Sequence, residues 1–221
     1  MEAKKKFSMT LAQPEILRDS IKVLSGLITE ARLHISKDGV KIIEMDAANV
    51  GMAIWQLLPS ACVEYVLNNP VAKEGIGLNE DSFSIGLNLE NFLAVLKNAK
   101  KSDILILSLD ADSENIDNLP SQSLNISLKG SITRNYTLLL IDLSDMNEIK
   151  IPNLEFKAKI KMPSDAFADA IKETDDIAES IVFEAKEKDY PLNKSFTISA
   201  EGDLQKLNIP FREDENTKIE G

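Results

Sequence analysis

Hydrophobic and polar residues alternate along many short segments of the chain, which predicts β-strands. Turn-forming sequences such as Lys37-Asp38-Gly39 and Glu201-Gly202-Asp203 separate these segments. The strands predicted in this way cover residues 7–11, 33–35, 40–42, 104–109, 124–128, 136–140, 156–161, 181–185, 196–200 and 207–211.

Three other segments have the hydrophobic spacing of amphipathic helices. The first covers residues 14–31 and begins with Pro14, a residue that suits the first turn of a helix. The second covers residues 89–101, and the third covers residues 164–180 with Ser164 predicted as its N-cap. Many strands with few helices predict an α+β fold that is built on antiparallel sheets.

The pattern of elements repeats after roughly 150 residues. A strand, a proline and a helix near the N-terminus are matched by the strand at 156–160, Pro163 and the third helix. We therefore predict a first domain at 1–143, a polar connector at 144–155 and a second domain at 156–221. The second copy stops before the second helix and the last strands of the first copy, so we expect the second domain to be incomplete.

Composition and charge exclude several classes of protein. The chain has 221 residues and a net charge of −11, which argues against nonspecific coating of nucleic acid by the whole surface but allows a local basic patch. Cys62 and His34 are the only residues of their types, so neither an intramolecular disulfide nor a cysteine-based zinc site is expected. The sequence shows no secretory signal, and its longest apolar runs are too short to span a bilayer. We expect a soluble, cytoplasmic protein that does not associate with membranes.

One segment resembles a known family. Residues 35–50 contain the Asp38-Gly39 turn and the run Met45-Asp46-x-x-Asn49-Val50, and they resemble a strand-turn-strand and loop of the sliding clamps, the proliferating cell nuclear antigen (PCNA) family. Residues 141–152 resemble the connector of that family, and residues 156–185 and 199–203 resemble the start of its second domain. The resemblance covers almost the whole chain and is greatest to archaeal members. The chain departs from it in longer segments at 62–81 and 112–122 and in the absence of about a quarter of the usual length after Glu220.

The resemblance implies a DNA clamp, or processivity, fold. In that architecture each subunit has two repeated domains, helices line a central hole, and antiparallel sheets form the outer wall. Three subunits close a ring around duplex DNA without reading its sequence. The implied function is that of a processivity factor, without catalytic activity or cofactor, which tethers DNA polymerase, the clamp loader and other replication and repair proteins.

Cations on the predicted helices are the candidate DNA-facing residues. Arg18, Lys22, Ser25 and Thr29 share one helical stripe opposite the apolar face, and Lys97 and Lys101 share another beside Lys100. Such faces attract phosphates without reading bases. Lys172 on the third helix matches a family cation, but the aspartates around it predict weak attraction. The alternative is that these lysines only solvate polar helix faces.

The resemblance also implies two protein-binding regions. A pocket for partner peptides is expected between the connector and the loop after the Asp38-Gly39 hairpin, and it comprises Met45, Asn49, Val50, Ile149, Ile151 and Pro152. The alternative for Ile149 and Ile151 is that they only attach the connector to the sheet. Subunits are expected to join through edge strands at 134–140 and 204–211, with Arg134, Tyr136, Leu138, Leu204, Leu207, Ile209 and Phe211 at the interface.

The sequence leaves two other functions open. The chain could be a clamp-like heteromeric or checkpoint-type subunit that binds partners without closing a homotrimer, and its short second domain fits a partial clamp completed by another polypeptide. A carboxylate metal-dependent hydrolase is the more remote alternative. Residues 110–115 begin like a calcium loop, but Asn115 occupies the position that requires glycine.

Overall fold

The structure, a computed structural model, describes residues 5–68, 82–110, 123–144, 149, 151–189 and 192–220. The chain divides into two compact units, Met1–Ile151 and Pro152–Gly221, at a boundary that lies within residues 144–155. Most of the two longer segments and most of the acidic loop at 110–115 fall outside the described residues. Within the described part, no helix is both long and apolar enough to cross a membrane.

The described residues of the first unit form two antiparallel sheets and two helices. Its elements are β1 (Lys5–Leu11), α1 (Pro14–Leu24), β2 (Glu30–Ser36), β3 (Gly39–Met45), β4 (Met52–Leu57), a 3-10 turn (Pro59–Ala61), β5 (Glu64–Leu67), β6 (Ser82–Asn88), α2 (Leu89–Leu96), β7 (Ile104–Asp110), β8 (Ser123–Lys129) and β9 (Thr133–Leu139). The strand orders are β5-β1-β7-β8-β9 and β4-β3-β2-β6.

Both helices of the first unit bury their apolar faces in a core that they share with the two sheets. Leu17 and Ile21 of α1 lie in this cluster beside Phe92 and Leu96 of α2. The strands contribute alternate residues, as the burial pattern of β8 shows. Because the apolar face of each helix is occupied in this way, its polar face is left for solvent or for a ligand. The predicted α+β fold with antiparallel sheets is confirmed.

The second unit is smaller and has one helix. Its elements are β10 (Lys159–Lys161), α3 (Ser164–Asp175), β11 (Ile181–Asp189), β12 (Leu192–Glu201), β13 (Lys206–Arg212) and β14 (Lys218–Glu220). Strands β11, β12 and β13 form one sheet in that order, and β10 pairs with β14. A row of stacked phenylalanine rings, with neighbouring centroids 6.1 Å apart, crosses from α3 over the sheet: Phe167, Phe183, Phe196 and Phe211.

All three helices end earlier than the sequence pattern predicts. Helix α1 ends at Leu24 with Ser25 as its C-cap, and the N–H groups of Gly26 and Leu27 then bond to carbonyls only three residues back, at Val23 and Leu24. Leu27 is therefore 58% exposed although the periodicity places it on the buried stripe. Helix α2 ends at Leu96 instead of residue 101, and α3 ends at Asp175 instead of residue 180. Ser164 is the first helical residue and not the N-cap, since Pro163 holds that position.

Four strands have no counterpart in the prediction: β4, β5, β6 and β14. Each of them lies at an edge of its sheet, although the edge strands β9 and β13 were predicted. Strand β6 contains Gly86, which normally disfavours a strand interior. A Cβ at this position would lie 2.6 Å from the carbonyl oxygen of Ile141, which bridges to Gly86. The close approach of the two backbones therefore requires this glycine.

Candidate functional site

Helix α1 carries two cations beside its buried stripe, Arg18 and Lys22. Lys22 is exposed in the last turn of the helix. Arg18 is half-buried, and its Nε lies 2.8 Å from Oδ1 of Asp19. This hydrogen bond holds the pKa of the Asp19 carboxyl below its usual range. Ser25 and Thr29 lie beyond the end of the helix, so the predicted stripe of four residues is reduced to Arg18 and Lys22.

The second group of cations lies on a turn instead of a helix. Lys97 caps the C-terminus of α2, and Lys100 and Lys101 follow in the turn that leads to β7. The prediction that Lys101 continues the helix one turn after Lys97 is wrong, because α2 ends before Lys97. All three lysines are exposed, and we call them the lysine turn. Their place at the end of α2 is also favourable because the C-terminus of a helix carries partial negative charge.

Hydrogen bonds of one buried carboxylate fix the shape of the lysine turn. Asp103 is only 2% exposed, and its Oδ2 accepts the N–H of Lys100 at 2.8 Å. The same oxygen accepts a hydrogen bond from Nη2 of Arg134, while Nη1 of Arg134 donates to the carbonyl of Asn98 at 2.7 Å. Asp103 is not among the site residues that the sequence predicts. The sequence feature that could have pointed to Asp103 is its position directly before an apolar strand, because an aspartate there usually bonds to nearby backbone groups.

The two cationic groups belong to one layer of the first unit, because α1 packs against α2. The N–H of Leu89 at the start of α2 donates to the carbonyl of Thr29, which follows α1, at 2.8 Å. This bond continues the pairing of β2 with β6 and places the start of α2 beside the segment that follows α1. Lys97 is one helix length away, about 12 Å from Leu89 at 1.5 Å per residue. The cations are therefore spread along the layer and are not gathered at one point.

Lys172 lies in the second unit. It is exposed on α3, and Asp165, Asp169, Asp175 and Asp176 lie on or beside the same helix. Weak attraction of this helix for a polyanion therefore stays a prediction.

The loop between β3 and β4 brings three of the predicted pocket residues together. Oδ1 of Asp46 accepts the N–H groups of Val50 at 2.7 Å and Gly51 at 2.8 Å, which holds the pKa of this carboxyl below its usual range. Asn49 adopts the left-handed conformation with φ of 56°. This turn leaves Val50 85% exposed, while Met45 is half-buried at the end of β3. A rigid loop with an exposed apolar tip suits contact with a protein partner.

The other three predicted pocket residues lie on the connector. Ile149 is half-buried, Ile151 is exposed, and Pro152 is exposed at the start of the second unit. The start of residues 141–152, the segment that resembles the connector, is attached to β6 of the first unit by a hydrogen bond from the Ile141 N–H to the Gly86 carbonyl. The assembly of these residues and the β3–β4 loop into one pocket stays a prediction.

The two predicted subunit-joining segments form β9 and β13, and each is an edge strand of its sheet. Tyr136 and Leu138 of β9 pack against the core of the first unit. In β13, Ile209 and Phe211 pack against the core of the second unit, and Leu207 is half-buried. Leu204 lies outside the strand, in the turn before β13, where it is 96% exposed. These edges would therefore contact a neighbour mainly through backbone groups and the opposite face of each strand.

Comparison with known proteins agrees with this architecture. Residues 6–147 match the family described as proliferating cell nuclear antigen, N-terminal domain. The DNA polymerase sliding clamp of Thermococcus gammatolerans is 31% identical over 191 residues, which cover 86% of this chain and 66% of that protein. The clamp of Pyrococcus furiosus is 30% identical, with coverage of 86% and 65%, and that of Nanoarchaeum equitans is 23% identical, with coverage of 96% and 75%. The chain thus spans about two thirds to three quarters of these relatives.

Solved structures show the same fold. The proliferating cellular nuclear antigen of Entamoeba histolytica superposes with a TM-score of 0.77 at 17% identity, with 98% of this chain and 77% of that chain covered. PCNA from Thermococcus kodakaraensis gives a TM-score of 0.74 at 22% identity, with coverage of 97% and 76%. By its sequence and its fold, the chain belongs to the proliferating cell nuclear antigen family, the DNA polymerase sliding clamps.

Proposed function

We propose that this chain is a subunit of a sliding clamp that encircles duplex DNA, holds it without reading its sequence, and tethers DNA polymerase and other replication and repair proteins. In this proposal the chain binds and positions its partners, performs no reaction of its own, and acts at the nucleoid. The observation that carries the proposal is the family match over residues 6–147 together with exposed cations on the α1–α2 layer of the matched unit.

The charge distribution supports sequence-independent binding. Arg18, Lys22 and the lysine turn provide five cations on one layer, although the whole chain carries a net charge of −11. Flexible lysine side chains attract phosphates as point charges and read no base edges. Acidic residues elsewhere on the surface would repel DNA from other orientations. This combination favours one binding face over general adhesion.

A charge-reversal experiment tests the proposed DNA face. We expect Lys22→Glu together with Lys97→Glu to weaken the binding of a short duplex. The slope of log affinity against log salt should fall by about 1 for each phosphate that the protein no longer neutralises. The matched control is Lys37→Glu with Lys41→Glu, which makes the same charge change on the β2–β3 hairpin, outside the α1–α2 layer. Equal weakening by both pairs would show a general charge effect and contradict the proposed face.

The proposal has two forms, a homotrimeric clamp and a heteromeric clamp, and the assembly state of the chain distinguishes them. Free edges at β9 and β13 favour pairing with another clamp subunit, because an unpaired edge strand leaves backbone groups without partners. Light scattering of the purified chain distinguishes a homotrimer from a monomer that requires a different clamp subunit. The acidic surroundings of Lys172 on α3 favour the second, heteromeric form, in which the other subunits contribute more of the attraction to DNA.

A further inference from the structure

The side chain of Arg134 makes contacts within its own unit, although Arg134 was predicted at a subunit interface. It lies on β9, which we predicted as a subunit-joining strand, yet its side chain is only 29% exposed. One nitrogen of its guanidinium donates to the buried carboxylate of Asp103, and another donates to the carbonyl of Asn98. Arg134 thus connects strand β9 to both ends of the lysine turn.

Two further hydrogen bonds within the lysine turn join Lys100 and Asp103. The N–H of Lys100 donates to Asp103, and the N–H of Asp103 donates back to the carbonyl of Lys100 at 3.0 Å. Ala99, which directly precedes Lys100, is buried in the core. Because Lys100 bonds to Asp103 through both its N–H and its carbonyl, and its neighbour Ala99 is buried, the backbone of the turn is held at several points.

The β8–β9 hairpin completes the enclosure of Asp103. Gly130 in this hairpin passes so close to the Asp103 carboxylate that an added Cβ would collide with its Oδ1. A buried carboxylate in such a space requires a charged partner with several donors in fixed geometry, which arginine supplies and lysine does not. The contact is therefore specific for arginine at position 134.

We propose that the Asp103–Arg134 pair is a positioning element for DNA binding, which holds the backbone of the lysine turn so that Lys97, Lys100 and Lys101 meet the phosphates together. This inference rests on the proposed function. It assigns Asp103 and Arg134 no contact with DNA. Their effect on affinity passes through the three lysines, and it links the strand edge of β9 to the DNA-facing layer.

A double-mutant cycle tests whether the pair acts through the lysines. Arg134→Lys keeps the charge but removes the two-armed contact. It is measured in the parent and in a background with Lys97→Gln, Lys100→Gln and Lys101→Gln. The readout is the affinity of the full chain for a short duplex across a series of salt concentrations, starting at low salt where Arg18 and Lys22 keep binding measurable. Arg212→Lys makes the same chemical change at an exposed position of β13 and serves as the control.

We expect Arg134→Lys to weaken binding in the parent, to lower the magnitude of its salt slope by about 1, and to have no further effect in the triple-glutamine background. Amide exchange at Lys100 should become faster in Arg134→Lys and stay unchanged in Arg212→Lys. Equal weakening in both backgrounds, undiminished binding in the parent, or unchanged exchange at Lys100 would overturn the inference alone. A parent chain that does not bind the duplex at low salt would overturn the proposed function and this inference with it.

Thermal melting of each variant shows whether it folds. Should Arg134→Lys not fold, Asp103→Asn takes its place in the same cycle, since it keeps the size of the side chain but replaces the charged acceptor of Arg134 and of the Lys100 N–H with a weaker, neutral one. The expected and contradicting results are the same for either variant.

Discussion

At the scale of single residues, Glu44 and Asp46 show how position changes the chemistry of a carboxyl group. They are two residues apart at the end of β3, and their pKa values shift in opposite directions. Glu44 is buried, and loss of solvent raises its pKa despite the N–H of Arg32, which donates to its Oε1 at 2.8 Å. Asp46 lies in the loop, where backbone N–H groups stabilise its charge. The periodicity of the sequence does not distinguish these two environments.

Glu44→Gln should stabilise the protein at neutral pH. A carboxyl whose folded pKa is raised contributes fully to stability below its unfolded pKa of about 4.3, and this contribution is lost as pH rises through the folded value. Glutamine keeps an oxygen for the Arg32 N–H without a buried charge. We expect a higher free energy of unfolding than the parent at pH 7 and little difference at pH 4, measured by chemical denaturation.

Glu64→Gln on the exposed face of β5 is the control and should change little at either pH. If Glu44→Gln lowers the free energy of unfolding at pH 7, the attraction of Arg32 for the charged form exceeds the cost of burial.

At the scale of elements, the three helices differ in how their first turns are satisfied. The side chain of Asn88 accepts the N–H of Asn91 at 2.9 Å and caps α2. Gln13 and Pro163 precede α1 and α3 without a side-chain cap. Helix α2 is also the shortest of the three, so a free N–H at its start would affect a larger share of its backbone. Its cap is therefore important for holding Lys97 and the turn behind it.

Asn88→Ala should lower the free energy of unfolding by about 1 kcal/mol, the usual cost of losing an N-cap. Gln13→Ala is the matched control, since it changes the cap position of α1 where the structure has no side-chain bond, and it should have a much smaller effect. Urea denaturation of both variants measures the difference. Equal decreases would show that the Asn88 side chain does not act as a cap.

At the scale of the whole molecule, the two units have cores of very different size. The first unit gathers residues from nine strands and two helices around one buried cluster. Among the described residues of the second unit, the buried apolar cluster consists of Ala170, Phe196, Ile198 and Ile219. Because local stability follows the amount of apolar surface buried, the second unit should open at a lower free energy than the first.

Hydrogen exchange tests this difference directly. We expect amides in the central strand β12 to exchange faster than those in the central strand β7, although both have strand partners on each side. Ile198→Ala should speed exchange in β12 and leave β7 unchanged, while Leu107→Ala should do the reverse. Equal protection of β7 and β12 in the parent would contradict the unequal stability of the two units.

The sequence by itself determined the class of fold, the repeat and the family. Alternation in segments such as 124–128 and the Asp38-Gly39 turn depend on neighbouring residues, so they could be recognised without coordinates. The exposure of Lys22 and Lys97 could be predicted in the same way, since it follows from a local pattern, while their contact with DNA stays a prediction. Edge strands β9 and β13 were located correctly, although the turn around Leu204 was not.

Only the tertiary structure decided where the helices end and what holds the lysine turn. The apolar and cationic pattern continues past Leu24 and Leu96, but Ser25 caps the first helix and Asp103 binds the turn after the second. Asp103 is joined to Arg134, 31 residues away along the chain, and the space for the pair depends on Gly130 in a hairpin. Such contacts form only when distant strands come together, so a local hydrophobic pattern cannot predict them. The whole fold also decides whether water can reach an ion pair.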